Sequence, residues 1–180
     1  MSPAFEPKPV LLSGRQVRLE PLTPAHAPGI FAASRDPEIW RYLLIPPFAG
    51  MADVERWLAE ALKLQAAGAE VAWATVRAAD NRVVGSTRFL DIRRAHRGLE
   101  IGNTWLAPEA QRTPVNTEAK FLQLRHAFEE LGAWRVQLKT DERNQKSRDA
   151  IARIGAKFEG VLRKYQARSG HSIAEALSLA

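Results

Sequence analysis

The sequence contains no cysteine and no long hydrophobic run, and each absence excludes a class of protein. Without cysteine there is no disulfide framework, no thiolate zinc site and no thiol nucleophile. No stretch approaches the roughly 18 apolar residues that a membrane-spanning helix needs. Residues 1–9 contain a glutamate and several prolines but no apolar core, so they do not resemble a signal peptide. A chain without cysteine fits a reducing compartment, and we expect a cytoplasmic protein without a membrane segment.

Acidic residues are the scarcer of the two charged groups. The chain has 26 lysines and arginines against 20 aspartates and glutamates, which gives a formal charge of +6. Residues 139–168 alone hold 9 basic and 4 acidic side chains, so nearly all of the excess lies in one segment. A basic segment of this kind fits a polyanionic partner. Nucleic acid, an anionic membrane surface and a phosphorylated cofactor are the three candidates.

Linkers, repeats and low-complexity tracts are also absent. Of the 180 residues, 46% are hydrophobic and 26% are charged, which is typical of a globular domain large enough for one core. We therefore expect residues 1–180 to form a single domain, with residues 1–11 as a loosely ordered N-terminal extension.

The spacing of apolar residues predicts a mixed α/β domain. Helices are predicted to begin near residues 23, 36, 52, 115 and 144. Strands are predicted over residues 16–20, 71–76, 82–92, 99–106, 134–140, 158–166 and 172–179. The alternation of strands and helices in the C-terminal half requires crossover helices, so at least one strand pair is expected to be parallel.

Two strand–loop–helix junctions carry residues that could bind an anion. The first is Asn103–Lys120, in which a helix N-terminus follows Gln111 and Arg112. Free N–H groups at such an end favour phosphate, although an ordinary junction capped by Thr113 or Asn116 would look the same.

The second junction, residues 141–148, reads DERNQKSR and directly follows a predicted strand. Asn144 and Ser147 lie one helical turn apart at its helix start. Asn144 is a natural N-cap, which would explain it without any ligand, and Ser147 could equally be a solvated residue.

Four motifs in this order resemble the GNAT superfamily of N-acetyltransferases. They are EIGNTWL at 100–106, QRTPVNTEAK at 111–120, NQKS at 144–147 and GAKFEGVLR at 155–163. Within the superfamily the chain resembles the RimJ/RimL-type branch, which acetylates protein N-termini or small amines. The resemblance covers about residues 12–179. It implies a GNAT fold: a mixed central β-sheet with helices on both faces, in which a splayed parallel strand pair binds acetyl-CoA.

The resemblance also implies where the cofactor lies. Acetyl-CoA would occupy the gap between strands 99–106 and 134–140, as acetyl donor and without a metal. The pantetheine arm would pair with the first strand, and the pyrophosphate would contact the loop at 111–116. The implied cofactor-binding residues are Trp105, Leu106, Gln111, Arg112, Thr113, Asn116, Thr117, Asn144, Ser147 and Arg148.

The pyrophosphate loop departs from the family pattern, because Pro114 and Asn116 stand where the family has glycine or another small residue. Pro114 has no N–H group to donate. One interpretation is a weakened pyrophosphate site. The other, which we favour, is that the side chains of Arg112, Thr113 and Asn116 replace the lost backbone contacts.

Direct attack of an amine on a thioester needs a base, an oxyanion donor and a proton for the leaving thiolate. Ser147 matches the family serine beside the cofactor sulfur and is the candidate acid. Glu100 is the candidate base, directly or through water; the alternative is a surface carboxylate paired with Arg97.

The candidate acceptor-side residues are Trp40, Tyr42, His96 and Asn103. Core packing is the alternative for Trp40, and a solvated position is the alternative for His96.

Two other functions remain open: a basic nucleic-acid-binding module, and a GNAT domain that binds acyl-CoA without catalysis. Nucleic acid is disfavoured, because residues 139–168 contain only Phe158 and Tyr165 as aromatics and no RNP-like, zinc or Gly-x-x-Gly pattern. The sequence does not identify the acceptor, which could be a protein N-terminus or a small-molecule amine. A homodimer would be usual for the family.

Overall fold

The structure is a computed structural model that describes residues 5–163, 165–168, 171–173 and 175–179. In this part of the chain, eight strands form a mixed sheet in the order β1-β2-β3-β4-β5-β6-β10-β7, and β8 and β9 form a separate two-stranded ribbon. The strands are β1 Leu12–Ser13, β2 Val17–Pro21, β3 Val71–Arg77, β4 Arg82–Arg93, β5 Gly98–Leu106, β6 Arg135–Thr140, β7 Lys157–Gly160, β8 Gln166–Arg168, β9 His171–Ile173 and β10 Glu175–Leu179. The α-helices are α1 Ala27–Ala33, α2 Met51–Ala66, α3 Pro114–Arg125 and α4 Gln145–Arg153.

Helices cover both faces of the sheet, as the GNAT resemblance implies. On one face, apolar residues of α1 and α2, such as Ile30 and Leu58, pack against Trp105 of β5. On the other face, α3 and α4 bury residues such as Leu122 and Ile151 against the strands. Burial of one apolar stripe per helix against the sheet is the main stabilising term of such a layered domain.

The predicted parallel pair is β5–β6, and its two strands separate part-way along. They pair only at Gly98–Arg135, Leu99–Val136 and Glu100–Gln137. Beyond that point β5 continues to Leu106 and β6 to Thr140 without pairing to each other, while β10 pairs with the far edge of β6. The C-terminal halves of β5 and β6 therefore border a gap within the sheet.

The predicted bounds of the two C-terminal strands, 158–166 and 172–179, are wrong. Each is divided: β7 and β10 join the main sheet, whereas β8 and β9 pair only with each other. β7 ends at Gly160, whose φ of +150° is a conformation that favours glycine and breaks the extended chain. The sequence also predicts that the two strands are joined at Ser169-Gly170, and these two residues lie outside the described ranges.

Within the N-terminal segment, Phe5, Glu6 and Val10 contact the domain, while Leu11 is exposed. Phe5 is buried in the core on the α3 side. The indole Nε1 of Trp73 donates a hydrogen bond to the carbonyl of Val10 over 2.7 Å, and Glu6 forms an ion pair with Arg94. The sequence gives no sign of these contacts, because prolines and charged residues in the segment interrupt any apolar pattern.

Two further properties bear on function. None of the helices in the described ranges combines the length and hydropathy that crossing a bilayer requires. Within the same ranges, no group of three or more His, Asp or Glu side chains could hold a metal ion.

Candidate functional site

A β-bulge lies on the β5 edge of the gap. Ser86 pairs with Trp105 and Arg88 with Gly102, so Asn103 and Thr104 together stand opposite the single residue Thr87. Asn103 has a φ of +47°. The extra residue changes the alternation of the strand, so that Glu100 and Trp105, although five positions apart, lie on the same face. Bulges commonly re-aim side chains beside functional sites.

Trp105 and Leu106 follow the bulge, where the pantetheine arm was expected. The Trp105 indole packs against Trp40 and Trp57, with ring centroids 5.7 and 6.5 Å away. The carbonyl of Leu106 accepts a hydrogen bond from Nε2 of Gln111 over 2.9 Å. Gln111 thus closes the β5–α3 loop, and the side chain of Trp105 belongs to the core.

Thr113 is the N-cap of α3, which agrees with the ordinary-junction alternative. Its hydroxyl accepts a hydrogen bond from the N–H of Val115 over 3.3 Å and donates one to the carbonyl of Ala110 over 2.7 Å. Pro114, at the first helical position, has no N–H. Of the N–H groups that a helix start leaves free, that of Val115 is engaged by Thr113, and Pro114 has none to offer.

Two guanidinium groups lie near this helix start. Arg112 is exposed and has a φ of +57°, a strained conformation for a residue with a side chain. Arg153, from the last turn of α4, donates a hydrogen bond from Nη2 to the hydroxyl of Thr117 over 3.2 Å. Sequence reasoning missed Arg153, because a basic residue in a last helical turn has an ordinary explanation in the helix dipole.

The β6–α4 junction is held by its own side chains. Asn144 is the N-cap of α4, and its Oδ1 accepts a hydrogen bond from the N–H of Ser147 over 3.2 Å. The buried carboxylate of Asp141 accepts hydrogen bonds from the backbone N–H and the guanidinium of Arg143. Ser147 is half-buried on the first turn of α4, and Arg148 extends back toward Glu142.

The segment Trp40–Tyr42 contacts β5 through Trp40, and its Tyr42 lies within electrostatic range of Arg143. Trp40 is only 2% exposed and packs on Trp105, so core packing is its role in the structure. The half-buried Tyr42 is close enough to Arg143 to raise the pKa of that guanidinium, together with the larger effects of the Asp141 hydrogen bond and charge. One end of the segment thus lies at β5 and the other at the β6–α4 junction.

Glu100 is buried on the α1/α2 face, with 5% of its surface exposed. Its Oε2 forms an ion pair with Nζ of Lys139 over 2.9 Å and accepts a hydrogen bond from Nε2 of Gln137 over 2.9 Å. Burial opposes the charge of Lys139, but the hydrogen bond and charge of Glu100 outweigh it, so the pKa of Lys139 is raised above its ordinary value. Glu100 is therefore in an ion pair, as the alternative interpretation expected, but its partner is Lys139 and not Arg97.

Arg97 has other partners in the structure. Its guanidinium donates hydrogen bonds to the carbonyls of Leu131 and Gly132 over 3.0 and 2.8 Å. It therefore joins the start of β5 to the turn before β6.

A cavity of about 350 Å³ adjoins the ion pair on the same face of the sheet. Its lining is Asp91, Arg93, Arg135, Gln137, Lys139, Glu159, Gly160, Leu162 and Tyr165. The β6 residues of this set alternate with buried Val136 and Leu138, so WRVQLKT at 134–140 already held the signal of a polar face opposite an apolar one.

Asn103 and His96 complete the predicted acceptor-side set. Asn103 is half-buried in the bulge at the gap. His96 is exposed in a short 3₁₀ turn before β5, at the end of that strand away from the gap. The structure brings Tyr42, Glu100 and Asn103 to the region of the gap and leaves His96 outside it.

Comparison with known proteins agrees with this geometry. A family profile described as an acetyltransferase (GNAT) domain matches residues 16–157. A GCN5-related N-acetyltransferase from Brucella melitensis is 30% identical, and the match covers 99% of this chain and 82% of that chain with a TM-score of 0.92. YoaA of Bacillus subtilis, an uncharacterized N-acetyltransferase, is 25% identical over 162 residues, 90% of each chain.

A more distant solved structure shares the fold. The ribosomal-protein α-N-acetyltransferase RimL, in complex with coenzyme A, is 15% identical, with a TM-score of 0.83 over 94% of this chain and 97% of that chain. The profile match spans most of the chain and coincides with the splayed strand pair. The chain belongs to the GNAT family of acetyl-CoA-dependent N-acetyltransferases.

Proposed function

We propose that the protein transfers the acetyl group of acetyl-CoA to a primary amine, and that the amine enters from the α1/α2 face. The observation that carries this proposal is the buried Glu100 at the point where β5 and β6 separate, beside a polar cavity of about 350 Å³. That volume is near the lower limit of small-ligand pockets, and it suits a small-molecule amine or the first residues of a protein N-terminus.

Glu100 acts as the base through its Oε1 atom in this proposal. Lys139 and Gln137 both engage Oε2, which leaves the lone pairs of Oε1 for the acceptor amine or a bridging water. Gly102 keeps this side open, since a Cβ there would lie 3.0 Å from Oε1. The neutral amine then attacks the thioester carbon, and the C–S bond breaks with release of coenzyme A.

Ser147 is the proposed proton donor to the leaving thiolate, because it lies on the first turn of α4 at the β6 side of the gap. We expect Ser147→Ala to lower kcat about 100-fold. The Kd for acetyl-CoA, measured by calorimetry, should change by less than about threefold, equivalent to under 1 kcal/mol. Asp149→Ala, which removes an exposed side-chain hydrogen bond with Gln145 on the same helix, is the control for damage to α4. An unchanged kcat in Ser147→Ala would refute the role.

The remaining cofactor contacts are proposed at the start of α3. Arg112, Asn116, Thr117 and the adjacent Arg153 supply cationic and polar groups where the family places the coenzyme A pyrophosphate. Arg148 and Asn144 are proposed beside the pantetheine arm. Support for a coenzyme A ligand comes from RimL, which has the same fold and was solved in complex with coenzyme A.

An acceptor screen with detection of free coenzyme A tests the proposal. The panel should contain amino acids, polyamines, aminoglycosides and short peptides with free or blocked N-termini. Turnover that requires a primary amine supports the proposed activity. Binding of acetyl-CoA without turnover for any acceptor would favour the non-catalytic alternative. The cytoplasmic location and a homodimer stay predictions.

A further inference from the structure

Lys120 is a buried amine that the proposed chemistry does not use. It lies on α3, and 5% of its surface is exposed. Its Nζ donates hydrogen bonds to the hydroxyls of Thr87 and Thr104 over 2.9 and 2.7 Å and to Oε1 of Gln123 over 3.0 Å. All three partners are uncharged. An apolar side chain would fill this volume without the cost of burying an ionisable group.

The environment accounts for an unusual titration of this lysine. Burial lowers the pKa of Lys120 to about 7, because no carboxylate in the described ranges forms an ion pair with it. A neutral amine retains two N–H donors and gains a lone pair that a threonine hydroxyl can donate to. The contacts of Lys120 can therefore persist in both protonation states.

The three contacts meet at the β-bulge of β5. Thr104 is one of the two bulged residues, and Thr87 is the single residue opposite them on β4. Their hydroxyl oxygens are 2.8 Å apart, and the Thr104 hydroxyl also lies 3.4 Å from the carbonyl of Gly102. Gln123, which is fully buried, closes the cluster by accepting from both Thr87 and Lys120. We name this group, Thr87, Thr104, Lys120 and Gln123, the lysine clamp.

The lysine clamp supports a backbone of unusual conformation. Asn103, the other bulged residue, has a φ of +47°, which asparagine adopts more readily than most residues but which still costs free energy. A bulge also leaves an extra residue outside the regular β4–β5 ladder, here in the part of β5 that borders the gap. A small displacement there would move the backbone groups of β5 at the gap.

We propose that Lys120 is a positioning residue for acetyl transfer: through the lysine clamp it fixes the bulge, and thereby the backbone of Asn103 and Thr104 that faces the acyl group. This inference rests on the proposed function, since it assigns Lys120 a purpose only if the thioester lies against that edge. Lys120 acts through Thr104 and touches neither substrate.

Removal of the clamp should separate turnover from binding. Lys120→Met retains the length of the side chain and loses its hydrogen bonds. We expect kcat to fall about 10- to 100-fold, since displacement of reacting groups by a fraction of an ångström to 1 Å has effects of this size. The Kd for acetyl-CoA should stay within about threefold, because the nucleotide contacts lie at the start of α3.

Variants of Thr104 provide an independent test that does not depend on the folding of Lys120→Met. Thr104→Val removes the hydroxyl at nearly constant volume and should lower kcat to a similar extent. Thr104→Ser keeps the hydroxyl and should retain kcat. In the double variant Lys120→Met with Thr104→Val, the two losses should not add, because both act through one bulge.

Glu118→Ala is the matched control on the same helix. Glu118 accepts hydrogen bonds from the backbone N–H groups of Arg15, Gln16 and Val17, so its loss destabilises α3 packing without reaching the bulge. It should retain kcat per folded molecule. The proposal is overturned if Lys120→Met and Thr104→Val turn over as fast as Glu118→Ala.

Failure of the proposed function would look different. If the unaltered protein releases no coenzyme A with any acceptor, both the proposed activity and the role of the clamp in acetyl transfer are refuted. NMR then tests whether the clamp fixes the bulge. The amide resonances of residues 102–105 should change chemical shift, and their hydrogens should exchange faster, in Lys120→Met than in Glu118→Ala. Equal spectra in that region would overturn the clamp as well.

Discussion

At the scale of single residues, the Glu100–Lys139 ion pair determines the charge at one side of the cavity. Lys139 lies 4.5 Å above the ring of Tyr165 and pairs with Glu100, while Arg135 pairs with Glu159. Each of these cations is matched by a carboxylate, so the pairs do not repel an acceptor that enters as an ammonium ion. Its proton has to be taken by a base, and Oε1 of Glu100 is the atom proposed for this step.

Replacement of Glu100 tests this arrangement. Glu100→Gln should lower kcat/KM at pH 7 by about 100-fold or more for a strongly basic acceptor, since loss of a positioned base has effects of this order. A weakly basic amine, which is neutral before it binds, should lose far less. Asp80→Asn, at the exposed turn between β3 and β4, is the control. Equal losses for both acceptors would contradict the role as base.

The buried amine of Lys120 should make stability depend on pH. Burial lowers its pKa to about 7, whereas an unfolded lysine titrates near 10.4. Between these values the unfolded chain binds more protons than the folded chain, so the free energy of unfolding rises with pH. Below pH 7 both states are protonated, and the full cost of the buried charge is present.

Urea unfolding at pH 7, 8 and 9 measures this effect. Relative to Lys120→Met, which lacks the titrating group, the unaltered protein should gain about 2 kcal/mol between pH 7 and pH 9. Parallel pH dependences for the two proteins would show that Lys120 titrates normally in the folded state.

At the scale of elements, local patterns identified most of the fold but not the contacts between strands. Alternation in EIGNTWL predicted β5, yet the bulge at Asn103 and Thr104 is set by pairing with β4 and leaves no periodic signal. The Glu100–Lys139 pair depends on the register of β5 against β6, which only the packed sheet determines. The N-caps Thr113 and Asn144 could be predicted from the sequence, because capping involves residues close to one another along the chain.

The start of α3 compensates for its missing glycines with side chains in our interpretation. Arg112→Ala and Arg153→Ala should each weaken acetyl-CoA binding about 5- to 30-fold, which corresponds to the loss of one charge-assisted hydrogen bond to phosphate. Acetyl-pantetheine lacks the nucleotide and should bind both variants and the unaltered protein equally. Calorimetry with the two ligands distinguishes this from the weakened-site interpretation, under which neither substitution matters.

At the scale of the whole molecule, part of the positive charge that gives the net +6 is engaged in ion pairs and is not free to bind a polyanion. In the basic segment 139–168, Lys139 pairs with Glu100 and Arg143 with Asp141, so these cations are partly neutralised. Arg153 lies instead against Thr117 at the start of α3. We therefore expect the segment to contribute to a local site for a phosphorylated cofactor and not to bind nucleic acid.

Thermal unfolding separates these two partners. Acetyl-CoA at 100 times its Kd should stabilise the folded state by about 2.7 kcal/mol, a rise in Tm of about 5–10 °C for a domain of this size. A 20-nucleotide DNA should raise Tm only at low salt, because binding by unspecific phosphate contacts falls steeply with ionic strength. The Arg112→Ala and Arg153→Ala double variant controls for the cofactor effect and should shift less with acetyl-CoA. A DNA-induced rise that persists at 150 mM salt, with none from acetyl-CoA, would instead indicate a nucleic-acid-binding module.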